Sequence, residues 1–136
     1  MTIERLFQHN NGPIESVRGL GLESFKYLYN HESEKENISL LWFKTDRDTW
    51  LRISNDDKNC TIDEYIYDES SSDLDENLTC VDYNHWVDSS TIINAHVSLT
   101  DLQEITLTIK LSNNNCIVYT CDISKNGSLK FLKDET

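Results

Sequence analysis

Eleven carboxylates fall within thirty-three residues of this chain, from Asp56 to Asp88: Asp56, Asp57, Asp63, Glu64, Asp68, Glu69, Asp73, Asp75, Glu76, Asp82 and Asp88. One base, Lys58, accompanies them, so the block carries ten net negative charges of the chain's twelve. Residues 1–55 and 89–136 each carry a single net negative charge. Tyr65, Tyr67, Tyr83 and Trp86 are interleaved with the acids. Carboxylates pair with Arg and Lys, while Tyr and Trp supply rigid contact area. A field of this kind speeds capture of a cationic partner by roughly 10–10³-fold at low salt. Screening over ~8 Å weakens the effect at physiological salt.

Other chemistries find less support. Asp73-Leu74-Asp75-Glu76-Asn77 opens with calcium-loop spacing. Leu78 and Asn84 then stand where the loop needs its turn glycine and its bidentate glutamate. Cys116 and Cys121 are five apart, which in a strand puts them on opposite faces, unlike zinc ligands. His85 and His96 have no recognisable ligand spacing around them. Glu64 lies between Ile62 and Ile66, the apolar setting that general acid–base work needs, but no second catalytic group accompanies it. Four glycines build no phosphate loop, and no nucleophile–base pair can be assigned. Neither enzymatic activity nor a cofactor or metal is expected.

The elements that position the acids read mainly as strands. Phe25, Tyr27 and Tyr29 alternate with Lys26 and Leu28, the period of a strand. Ser39–Lys44 is apolar on both faces, as in a strand covered twice. Thr45–Asp48 is a turn, Thr49–Ser54 the next strand, Asn55–Asn59 a turn, and Cys60–Tyr67 a third strand of an antiparallel meander. Ser70–Asn77 reads as an acidic loop, with Thr79–Tyr83 and Ser89–Ser98 as short strands. Ile105, Leu107, Ile109 and Leu111 alternate with polar residues, and Ile117, Tyr119, Cys121 and Ile123 repeat the pattern. Asn126-Gly127 signals a type I′ hairpin before Leu129–Leu132. Pro13 at a first turn and Gly19 at its end allow one short N-terminal helix. The fold class is mainly β: an antiparallel meander of about seven to nine strands forming a sandwich or open barrel, with α+β the alternative.

Length suits a single domain over residues 1–136. The longest apolar run, Leu40–Phe43, is far short of the ~20 residues needed to cross a bilayer. Met1–Arg5 does not begin a secretory signal, so the cytoplasm is the expected compartment. There the four cysteines act as small hydrophobes in strands, not as disulfides. Sequons at Asn37, Asn59, Asn77 and Asn126 then carry no glycan. Net negativity argues against direct nucleic-acid binding and against an anionic membrane surface.

Extending the strand over Thr61–Glu69 sends Asp63, Tyr65, Tyr67 and Glu69 to one face and Ile62 and Ile66 to the other. With the isoleucines in the core, two tyrosines flanked by carboxylates stand outside. The candidate contact residues are therefore Asp63, Tyr65, Tyr67, Glu69, Asp73, Asp75, Glu76, Asp82, Tyr83 and Trp86. In size, acidity, lack of catalytic motifs and Asn/Ser-rich β-meander, the chain resembles the small acidic immunity proteins of bacterial polymorphic toxin systems, including contact-dependent growth inhibition. That resemblance implies one cognate partner: a basic toxin, commonly a nuclease, forming the toxic C-terminal domain of a secreted effector. A DNA-mimic inhibitor of a restriction or CRISPR-type enzyme is the alternative, as is a scaffold domain whose acids serve solubility. Mimicry asks for carboxylates at phosphate-like intervals along an extended surface, which one block between near-neutral flanks does not supply.

Overall fold

Alternating residues decide which side of each strand is dry, and here two sets of dry sides face each other. The computed structural model describes residues 3–31, 37–55, 58–70, 77–122 and 127–133. Among these, one antiparallel sheet runs β1 (Ile3–His9), β6 (Cys60–Tyr65), β5 (Trp50–Asn55), β4 (Ile38–Thr45), β3 (Leu22–Asn30), β7 (Leu78–Asp82). The other runs β11 (Gly127–Lys133), β10 (Asn115–Cys121), β9 (Ile105–Leu111), β8 (Ile92–Leu99), β2 (Gly12–Pro13). Their inner faces pack as a β sandwich around Phe25, Leu41, Phe43, Leu51, Ile53, Ile62, Leu107, Ile109, Ile117 and Tyr119.

β4 is covered on both sides, as its composition requires. Leu41 and Phe43 enter the core between the sheets, where Phe43 stacks on Phe25 at 4.6 Å. Leu40 and Trp42 point the other way and form a second buried cluster with Leu28. Trp50, Tyr65 and Leu78 pack against that cluster, so the middle of the six-stranded sheet is dry on its outer face as well.

Polar links tie the sheets together at one end. The Tyr119 hydroxyl donates to the carbonyls of Ile38 and Ser39, each at 3.0 Å. Asn55 Nδ2 donates to the Tyr119 carbonyl at 3.1 Å. Gly127 lies so close to β4 that a Cβ there would clash with the Ile38 carbonyl oxygen.

Several local expectations need correction. The N-terminal helix is a single 3-10 turn, Glu15–Val17, while Pro13 pairs with His96 in β2. Eleven strands occur among the described residues, because Ile3–His9 and Gly12–Pro13 join the sheets without marked alternation. Gly127 is not in a two-residue turn: it pairs with Cys121 inside the β10–β11 ladder. Residues 123–126, including Ile123 and Asn126, lie outside the described residues. β6 stops at Tyr65, so the alternation over Thr61–Glu69 cannot be carried past that point.

Candidate partner-binding surface

The register of the six-stranded sheet aligns one row of side chains across every strand: Arg5, Asp63, Arg52, Trp42, Lys26 and Asp82. These residues stand on the outer face, opposite the inter-sheet core. Asp63 therefore sits between two arginines on neighbouring strands. Arg5 Nε donates to its Oδ1 at 2.8 Å and an Arg5 terminal nitrogen donates to its Oδ2 at 3.2 Å. Asp63 is 4% exposed, so it is an internal ion-pair partner and not the outward contact expected from alternation. Alternation named the face; a second dry layer on that face buried it.

Tyr65 is on the same outer face, half-buried, with its ring 5.4 Å from that of Trp42. Glu64 accepts hydrogen bonds from Arg47 at 2.7 Å and from Thr49 Oγ1 at 2.6 Å. Ile66 is 46% exposed instead of core, because the strand has already ended. Tyr67, one residue on, is 64% exposed.

The segment after β6 folds back over the outer face. Lys26 Nζ donates to Asp68 at 2.6 Å and lies 4.8 Å from the centre of the Trp50 ring, a cation–π contact. Asp68 Oδ1 also accepts from the Ser70 amide and hydroxyl, and Ser70 is buried. Burial pushes the Asp68 carboxyl up, but the Lys26 and Ser70 hydrogen bonds outweigh it and hold the group below its ordinary value. Glu69 is half-exposed and has a partner of its own. Asp73, Asp75 and Glu76 lie outside the described residues.

Among the described residues, a further exposed part of the acidic block lies at the sheet's edge. Asp82 ends β7, exposed and across the ladder from Lys26. Burial raises the Cys80 thiol; Lys26 opposes that rise, and Asp82 and Asp68 add to it, so all four share one field. Residues 84–86 then form a 3-10 turn that bridges the sheets. Asn84 Oδ1 accepts from the Phe25 amide at 2.9 Å. On the other side, Trp86 Nε1 donates to the Cys116 carbonyl at 3.1 Å, and Asn115 Nδ2 donates to the Trp86 carbonyl at 2.8 Å. Asp88 follows, exposed.

This turn holds Tyr83 and Trp86 rigidly. Tyr83 lies 4.6 Å from Phe131 of β11 and 4.3 Å from His85, and Trp86 meets Phe131 edge-on at 5.4 Å. Both rings are half-buried, so each keeps an accessible side. The result is a fixed aromatic group bracketed in sequence by two exposed carboxylates, Asp82 and Asp88. Sequence reasoning singled out Asp82, Tyr83 and Trp86, but not Lys26, Asp68 or Phe131. Those three enter through contacts spanning more than forty positions, which local spacing does not encode.

Among the described residues no helix is long and apolar enough to cross a membrane. Comparison with family models, curated proteins and solved structures returned no match, so the fold and this surface are read from the chain's own residues.

Proposed function

We propose that this protein is a cytoplasmic immunity protein that binds and neutralises a basic toxin, a nuclease being the best fit. Binding, not catalysis, is its activity. A nuclease presents cations to phosphates, and carboxylates set around rigid aromatics would occupy those cations while the sandwich blocks the cleft. The observation that carries this reading is the group Asp82, Tyr83, Trp86 and Asp88 in and beside a turn fixed to both sheets. Tyr67, exposed just before the Asp68 tether, adds an aromatic from the same acidic block.

Support also comes from how the charge is divided. Asp63, Glu64 and Asp68 are paired with Arg5, Arg47 and Lys26. Asp82 and Asp88 remain exposed, in a chain with twice as many acids as bases. Desolvated aromatics with charge at their rim are the composition of an interface hot spot.

Co-expression tests the reading. The C-terminal domain of the protein encoded by the adjacent gene, which the proposal requires to be toxic, is expressed with and without the chain, and growth is measured. Restored growth with the wild type, lost with Asp82→Lys/Asp88→Lys at unchanged protein level, is expected. A neighbour that is not toxic, or rescue indifferent to both substitutions, contradicts it.

A further inference from the structure

Sheet edges expose main-chain N–H and C=O groups that can pair with another chain, and folded proteins guard them with lysine, proline, bulges or brevity. Four strands end the two sheets here: β1, β7, β11 and β2. β2 has two residues, one of them Pro13. β1 carries Glu4 and Arg5, and its register shifts between Arg5 and Phe7. β11 carries Lys130 and Lys133. β7, Leu78-Thr79-Cys80-Val81-Asp82, has no lysine, no proline and no register shift. Among the described residues it is the unguarded edge.

Its ladder fixes which groups are open. The Tyr83 amide donates to the Phe25 carbonyl at 2.9 Å, and the His31 amide to the Asn77 carbonyl at 3.0 Å. Bonded positions recur at every second residue of an antiparallel pair. Thr79 and Val81 therefore turn their main-chain groups toward β3, while Leu78, Cys80 and Asp82 turn theirs to the outside. The side chains sort as well. Cys80 and Asp82 stand on the outer face, and Val81 and Thr79 stand opposite Tyr27 and Tyr29, which pack on the core.

We propose that β7 accepts an extended segment of the basic partner as a further strand of the six-stranded sheet. This inference rests on the reading of a basic partner and specifies how part of it is held. The added segment would alternate Arg or Lys, set beside Asp82, with apolar residues set beside Val81 and Thr79. Main-chain pairing supplies affinity, and the alternation supplies selectivity. Charge argues against a second copy of this chain in that place. Asp82 and Asp88 flank the edge, Asp73, Asp75 and Glu76 precede it in sequence, and each copy carries twelve net negative charges.

The probe is a short capped peptide alternating Arg and Val, with a second version N-methylated at every other residue to remove one row of its amides. Cys80→Pro removes an outward N–H while leaving the β3 ladder intact, since proline is tolerated where the amide faces away from the sheet. The plain peptide is expected to bind the wild type and to protect the Cys80 and Asp82 amides from hydrogen exchange. N-methylation of the peptide, which leaves the protein untouched, and Cys80→Pro should each weaken binding roughly tenfold or more. Equal, salt-sensitive binding of both peptides overturns strand addition while leaving the electrostatic reading standing. Absence of binding by either peptide also overturns it. So does concentration-dependent protection of Cys80 in the protein alone, which would place a second copy on the edge.

Discussion

Arg5 and Asp63 are joined by two hydrogen bonds across fifty-eight positions, and they fasten the first strand to the beginning of the acidic block. An acid within the most negative stretch of the chain thus serves the fold, not the surface. Removing it takes away the buried carboxylate that Arg5 and Arg52 flank. Asp63→Ala should lower Tm by roughly 3–10 °C in a calorimetric or circular-dichroism melt. Its association rate with a cationic partner should stay near that of the wild type. An unchanged Tm with slowed association would return Asp63 to the interface.

Lys26 and Asp68 predict an acid-sensitive tether. The Asp68 carboxyl lies below its ordinary value in the fold. Its contribution is therefore complete above the ordinary carboxylate value of ~3.9 and is lost as pH falls through the lower native value. Because Lys26 also covers Trp50, release should change tryptophan fluorescence in that acid range. Lys26→Met should remove this step; if the transition persists unchanged, another group causes it.

Tyr119 anchors one sheet to the other through the Ile38 and Ser39 carbonyls. Burial pushes its phenol well up, so the hydroxyl remains a donor far into alkaline pH. Tyr119→Phe leaves those carbonyls short of a donor and should cost about 1–3 kcal/mol in denaturant unfolding. No loss would mean that the two sheets need no such link.

Gly127 is required by proximity to β4. Gly127→Ala puts a methyl group against the Ile38 carbonyl, and β11 must shift to admit it. A destabilisation of about 1–3 kcal/mol is expected, with the Leu129 and Phe131 amides exchanging faster. Wild-type stability would show that β11 moves away freely.

Local pattern made much of the fold legible. The doubly apolar run in β4 and the alternation in β9 and β10 follow directly from which neighbours each face meets. β1 was not legible, because its side chains are explained by cross-strand partners such as Asp63 and Glu64 that lie nearly sixty residues away. The same reason separates the candidate contact residues. For Asp63 and Tyr65, alternation identified the correct face of β6, but the cover over that face comes from Arg5, Trp42 and Trp50 on other strands. Ile66 was misassigned for a simpler reason: alternation has no meaning once a strand has ended. Asp82, Tyr83 and Trp86 were legible as acid and aromatic neighbours, whereas their fixation by Asn84 and Phe131 depends on long-range contacts.

The proposed surface at the β7 edge is tested most directly by association rates with a basic domain encoded by a neighbouring gene, the partner that the proposal requires, measured across a salt series. With Asp82→Lys/Asp88→Lys, the on-rate at low salt should fall about tenfold or more, with Tm held close to the wild type and the difference shrinking as salt rises. An on-rate identical to the wild type at every salt concentration would contradict the account.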